Sequence, residues 1–351
     1  MSTKPFDPSS LQAFGHAAAG HDGVMSDASG AILVKPCTQA EVDFYQTVAQ
    51  SHPNLQPHLP TFLGTLALAA DDASKVPETP ESGVVQTDNG VERLHGKKLD
   101  TELHIVLENI THGFKKPNVL DLKLGARLWD DDAKPEKRAR LDEISASSTS
   151  GSLGFRIAGM RTYVGDKWEV ARENEKFVEE DKEGFHVYNK MYGRNFKDAE
   201  DVKAGFLSFL LPRSRSREEL ERAREVATYF IDEIRDIQKV LESKESRMYS
   251  ASLLLVYEGD INEYEKSKES LINKSGPEEK ETEGEEEDAD DEEEGPKLAV
   301  VKMIDFAHAT FQPGQGPDEN AIRGMRSAIA VFEGVSESVE SLISECESGE
   351  H

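Results

Sequence analysis

The stretch "KPNVLDLKLG", residues 116–125, does most to limit what this chain can fold into. Its apolar run has the length of a strand, and a strand turns alternate side chains to opposite faces. Leu120, Leu122 and Leu124 then share one face, while Asp121, Lys123 and Gly125 share the other. One face reads as core; the other carries two opposite charges about 7 Å apart, the rise of two strand residues. Alone, this fits an ion pair on a solvated strand as well as a set of working charges in a cleft.

At 351 residues the chain has room for one large domain or two lobes with a sizeable core, while 31% charged residues and a mean hydropathy of -0.59 point to solvated insertions. No apolar run approaches the roughly 20 residues that span a bilayer, and "MSTKPFDPSSLQAF" lacks the basic start and apolar stretch of a signal peptide, so an intracellular protein is expected. Cys37 and Cys346 are far apart and show no metal-ligand spacing; they read as ordinary thiols. The net charge of -27 is uneven: residues 278–294, "EEKETEGEEEDADDEEE", hold thirteen acidic residues and one lysine. Such a block repels itself and buries nothing, so 275–296 is expected as a disordered insertion. It reads as a solubilising tether or as a docking segment for basic nuclear proteins such as transcription factors.

The N-terminal part alternates short apolar segments, "AILVKP", "TFLGTLAL" and "ELHIVLENI", with a helical stretch, "QAEVDFYQTVAQ", as a small sheet with a helix would. Residues 71–98 are rich in Pro, Gly and charge and read as a surface loop. Farther on, Leu220, Ala223, Ala227, Phe230, Ile234, Ile237 and Leu241 mark one apolar face of a helix over 218–242. Strands are expected at 250–259 and 297–309, joined by the acidic segment, followed by a final helix. The pattern is α+β.

In "VVKMIDFAHA" the apolar run stops at Asp305, with His308 three residues beyond. An aspartate there is a common turn initiator. Beside "LDLKLG" it acquires another meaning, because Mg²⁺ favours carboxylate and phosphate oxygens while a lysine ammonium serves a transferring phosphoryl group. Lys35 leaves an N-terminal strand preceded by the glycine-rich "GHAAAGHDG", and no GK[ST] follows a glycine loop, so a Walker nucleotide site is excluded. "DAKPEKRARLDEI" gathers Lys134, Lys137, Arg138 and Arg140 in an otherwise acidic protein, with Lys137 and Arg140 expected on one helix face. Cations beside a phosphoryl-transfer centre suit a polyanionic acceptor; nucleic acid is not expected, because no aromatic residue is interleaved.

The chain resembles the inositol polyphosphate kinases, whose signature PxxxDxKxG is met by Pro117, Asp121, Lys123 and Gly125. "ENITH", "TSGSLGFRIAGMR", "YNKMYGR", "SLLLVYEG" and "IDFAHA" extend the resemblance over roughly residues 12 to 345, with the fungal multikinases, the arginine-metabolism regulators, most similar. The resemblance implies a two-lobed kinase-like fold, with lobes at 1–112 and 113–351 and a hinge near 108–113. It implies that Lys35 contacts ATP phosphates, that backbone at Glu108 and Ile110 meets adenine, that Asp121 lies near the ribose and reacting phosphates, and that Asp305 binds Mg²⁺. Lys123 would bridge the transferred phosphate and the acceptor, and Lys137, Arg140, Arg161, Lys190 and His308 would line the acceptor pocket. Asp121, Lys123 and Asp305 thus form the expected catalytic set. Two departures stand out: Ala251-Ser252-Leu253-Leu254 replaces the family's SSLL, and Arg140 stands where animal relatives carry glutamine. The expected activity is ATP- and Mg²⁺-dependent phosphorylation of inositol trisphosphate and tetrakisphosphate to pentakisphosphate, by a monomer of nucleus and cytoplasm. A hexakisphosphate kinase making pyrophosphates and a transcriptional adaptor acting through the acidic segment are the alternatives.

Overall fold

The structure, a computed structural model, describes residues 11–15, 18, 23–67, 84–87, 90–93, 99, 101–165, 170, 174–213, 215–274 and 295–348. Residues 11–108 supply β1 (Gln12–Ala13), β2 (Met25–Ser26), β3 (Ile32–Pro36), helix α1 (Gln39–Ser51), β4 (Phe62–Ala67), the pair β5 (Val84–Thr87) and β6 (Gly90–Arg93), and β7 (Leu103–Glu108). Five of these strands form an antiparallel sheet in the order β1-β2-β3-β7-β4. Within 71–98, expected as a loop, β5 and β6 make a separate hairpin. Val-Val before Asp88-Asn89-Gly90 is a hairpin signal that the surrounding Pro and charge obscure.

The second half adds β8 (Pro117–Leu124), α2 (Pro135–Ala146), α3 (Thr149–Leu153), β9 (Phe155–Tyr163), β10 (Val178–Glu180), β11 (Phe185–Tyr188), α4 (Lys190–Arg194), α5 (Ala199–Leu210) and α6 (Arg217–Glu242). There follow β12 (Ser246–Met248), β13 (Ser252–Glu258), α7 (Ile261–Lys274), β14 (Ala299–Ile304), β15 (Ala309–Phe311) and α8 (Glu319–Ser348). Six strands form an antiparallel sheet in the order β10-β11-β9-β8-β13-β14, and β12 pairs with β15. The acidic 278–294 block lies outside the described residues. It connects α7 to β14, and the β13–β14 ladder runs unbroken from Ser252 opposite Ile304 to Tyr257 opposite Ala299.

The period-two reading of β8 holds: Leu120, Leu122 and Leu124 are fully buried, packed with Phe155, Ile157, Leu253 and Leu255. Helices α5, α6 and α8 cover that side of the sheet. Helix α6 starts where Ser216 accepts a hydrogen bond from the Glu219 N–H, and its seven expected apolar residues are all buried. It runs antiparallel to α8, since Arg217 pairs with Glu347, Arg224 with Glu340, Arg235 with Glu333 and Glu242 with Arg326. No described helix is long and apolar enough to cross a membrane.

Helix α1 joins the two halves. Phe44 stacks on Phe306 at 4.5 Å and on Phe311 at 5.3 Å, and His52 stacks on Phe311 at 3.8 Å. Aromatic pairs at such separations add attraction beyond the area they bury.

Candidate active site

The face of the second sheet turned away from those helices carries Val119, Asp121 and Lys123 from β8. Leu254 of β13 stands opposite Asp121 and Ser252 opposite Lys123. Asp121 is buried, and so is Ser252, whose hydroxyl has no hydrogen-bond partner among the described residues. On the other flank, β9 carries one extra residue, Ala158, against β8: Asp121 pairs with Gly159 while Leu122 pairs with Ile157. This bulge lets Arg156, opposite Lys123, and Arg161, opposite Val119, point to the same side of the sheet.

Lys35 closes the cleft from β3. Its ammonium lies 2.7 Å from Asp305 Oδ1 and 2.9 Å from Glu41 Oε1. Burial opposes its charge, but Asp305 and Glu41 outweigh that and hold it above its ordinary value. Glu41, which sequence reasoning missed, is buried in the first turn of α1. "TQAE" reads as a capping box, and Thr38 does accept the Glu41 N–H, but the carboxylate turns into the cleft instead. Asp305 ends β14 with φ of 67°, a left-handed backbone in which Asp and Asn are the better tolerated side-chain residues. Its Oδ2 lies 3.8 Å from Lys123, whose ammonium donates to the Ser250 carbonyl at 2.8 Å. Ser250, also left-handed with φ of 59°, donates its hydroxyl to the Leu128 carbonyl.

Two cavities meet at Lys35, Glu41 and Asp305. One, of about 120 Å³, has apolar walls from Leu33, Leu107, Ile110, Val119, Leu254 and Ile304, and Asp121 on its floor. Glu108 and Ile110 flank it, and the Glu108 carboxylate is turned away, accepting from the Thr61 hydroxyl at 2.8 Å and the Thr61 N–H at 3.2 Å. The other, of about 340 Å³, is lined by Lys123, Lys137, His308, Tyr249 and Ser250. Cys37 also lines it; burial, with Glu41 nearby, pushes its thiol up to about 11. Both cysteines are free, Cys37 buried and Cys346 partly exposed.

Gly125 ends β8 with φ of 97°, and a Cβ there would come within 2.4 Å of Asn320 Nδ2. Asn320, which no sequence pattern flags, accepts the N–H groups of Ala126 and Arg127 and so fixes the turn that leads to α2.

Three expected acceptor residues are not brought to the second cavity. Arg140 is exposed and outside the cavity, whose wall on α2 is made by Lys137 and Leu141, four residues apart. Arg161 lies at the hinge end of the cleft, one pleat repeat beyond Asp121, where it pairs with Asp181 at 2.8 Å and lies over the Phe185 ring. Lys190 opens α4, which follows β11, two strands away from β8. Arg156 is the cation that β9 does place across from Lys123. Burial first, then Arg194, draws it down to about 10 although Asp121 opposes the shift, and its guanidinium donates to Ser150.

Apolar walls and hinge backbone on one side, ammonium groups on the other, and a strand-end carboxylate where the two meet suit the passage of a phosphoryl group from a nucleotide to a polyanion. The class is that of the two-lobed kinases. A family model described as inositol polyphosphate kinase matches residues 104–333, and the chain belongs to that family. It is similar to the inositol polyphosphate multikinase of Saccharomyces cerevisiae, with 31% identity covering 90% of this chain and 96% of that protein. It is also similar to the multikinase of Schizosaccharomyces pombe, with 33% identity covering 92% and 97%. Among solved structures, the S. cerevisiae multikinase Ipk2 with ADP and Mn²⁺ superposes with a TM-score of 0.61 at 29% identity, covering 87% of this chain and 99% of that one.

Proposed function

We propose that the chain is an inositol polyphosphate multikinase that moves the γ-phosphoryl group of ATP to inositol trisphosphate and tetrakisphosphate, giving pentakisphosphate. The observation that carries this is the junction of an apolar cavity beside the Glu108–Ile110 backbone with a cationic one at Lys35, Glu41 and Asp305. The near full-length match to two fungal multikinases supports the substrate class.

In this reading the base lies against Leu107, Ile110 and Val119, and Lys35, steadied by Glu41, holds the nucleotide phosphates. Lys123 is released from the Ser250 carbonyl to the phosphoryl group in flight, where charge develops. Asp121, facing the same cavity on β8, stands beside the ribose and the reacting phosphates. Lys137 and His308 receive the acceptor; Arg140, Arg161 and Lys190 lie outside the lining of that cavity, and Arg156, opposite Lys123, is buried against Ser150 beside it. The donor set fits Mg²⁺, an ion that takes one or two carboxylates together with substrate phosphates: Asp305 stands where the two cavities meet and Asp121 lines the apolar one. Asp305 would hold it, and the ion would neutralise phosphate charge when bound. No covalent enzyme intermediate is needed.

The lobes divide at 112/113, and the chain works as a monomer in nucleus and cytoplasm. The 278–294 segment, with its thirteen acidic residues, is proposed to dock basic transcription factors. Incubation with ATP, Mg²⁺ and inositol trisphosphate, followed by resolution of the products, tests the main reading. Accumulation of tetrakis- and pentakisphosphate supports it; inert trisphosphate with pyrophosphate formed from hexakisphosphate replaces it.

A further inference from the structure

Two contacts of His308 set where its ring proton sits. Nδ1 lies 2.5 Å from Asp130 Oδ2, and Nε2 lies 3.4 Å from the Lys137 ammonium. A carboxylate only accepts hydrogen bonds and an ammonium only donates them, so the proton belongs on Nδ1 and the Nε2 lone pair faces Lys137. The opposite tautomer would set a lone pair against the carboxylate and an N–H against the ammonium. His308 and Lys137 line the cationic cavity, whereas Asp130 is not part of its lining and touches the ring from the other edge. It is held in the turn between β8 and α2 that Asn320 fixes.

We propose that Asp130 is a positioning residue that keeps His308 in the Nδ1–H tautomer, so that the acceptor cavity offers an imidazole lone pair beside an ammonium and selects an inositol phosphate bearing a hydroxyl next to a phosphate. The inference rests on reading that cavity as the acceptor site. When a phosphate takes Lys137, the lone pair is left for an O–H donor, and the neighbouring ring hydroxyl is the donor an inositol phosphate has to give. Without Asp130 the ring is free to present Nε2–H instead, which suits a phosphate oxygen and not a hydroxyl hydrogen.

The full chain labelled with ¹⁵N-histidine tests this, the His308 signals being assigned by their loss in His308→Gln. The wild type is expected to show a protonated Nδ1 and a bare Nε2. Asp130→Ala is expected to shift the tautomer and to raise the KM for inositol trisphosphate about tenfold, the loss of one hydrogen bond to an oriented group, with the KM for ATP unchanged. Asp130→Asn, whose amide oxygen still accepts from Nδ1–H, is expected to keep the tautomer and most of the acceptor affinity. Nε2–H in the wild type, an unchanged tautomer and acceptor KM in Asp130→Ala, or an Asn variant as impaired as the Ala variant would each overturn the proposal. Failure of the wild type to phosphorylate the trisphosphate would sink the acceptor reading instead, while the tautomer measurement stays readable.

Discussion

Glu41 shows how one side chain organises the cleft. It holds Lys35 and also accepts the Phe306 N–H at 3.4 Å, so a residue of the first sheet and a residue beyond β14 share one carboxylate. Hydrogen bonds to charged groups contribute about 1.5–3 kcal/mol, so Glu41→Gln is expected to lower kcat roughly ten- to a hundredfold with little change in acceptor KM, read by steady-state kinetics. Asp305→Asn is expected to abolish turnover while the chain still folds, because asparagine tolerates the left-handed backbone that Asp305 adopts, with a lower melting temperature from the lost Lys35 ion pair. Asp305→Val, β-branched at that φ, is expected to lose stability as well. Lys137→Ala is expected to raise acceptor KM about tenfold or more, while Arg140→Ala stays within about twofold, since only the first lines the cavity. Asp121, Lys123 and Asp305 were legible because each puts a charge into an apolar strand or at its end. Asp130 and Ser250 were not, since their work depends on where loops cross. Placing Arg156 and Arg161 on one side of the sheet required one unpaired residue, Ala158, which period-two alternation does not foresee.

At the scale of elements, strand and helix periodicity carried most of what could be read, α6 above all, because a buried face leaves its spacing in the sequence. What periodicity cannot give is how elements meet. The end of β7 is an example: Glu108 ties it to Thr61, and although burial alone would raise its carboxyl, the Thr61 hydroxyl and N–H hold it below its ordinary value. A lowered folded-state pKa gives stability that is full above the ordinary carboxylate range and is lost as pH falls through the lowered value. The gap in melting temperature between wild type and Glu108→Gln is therefore expected to be full at pH 6 and to narrow as pH falls below the ordinary carboxylate range, followed by scanning calorimetry. A gap that does not narrow as the solution is acidified would place the effect elsewhere. Phe44→Ala, which empties the stack on Phe306 and Phe311, is expected to cost about 3–5 kcal/mol and to lower kcat with it, since α1 carries Glu41.

For the whole molecule, the two-lobed outline was legible through the family signature, while the meeting of two cavities at one lysine required coordinates. Deleting residues 278–294 is expected to leave melting temperature and kinase activity nearly unchanged, because a block of this charge buries almost no apolar surface and its connection leaves the six β13–β14 pairs in register. A large fall in either would make the block structural. The stacking of α1 has a consequence for timing. The helix belongs by sequence to the half that covers the nucleotide cavity, yet its aromatic face is fastened to Phe306 and Phe311. Tyr45 of the same helix stacks on Phe62 of β4 at 5.6 Å, so α1 is packed against both halves, and a widening of the cleft to let spent nucleotide out is expected to stretch the contacts of Lys35 with Asp305 and Glu41. Product release is then expected to depend on ionic strength, which a series of release rates measured against salt concentration reads.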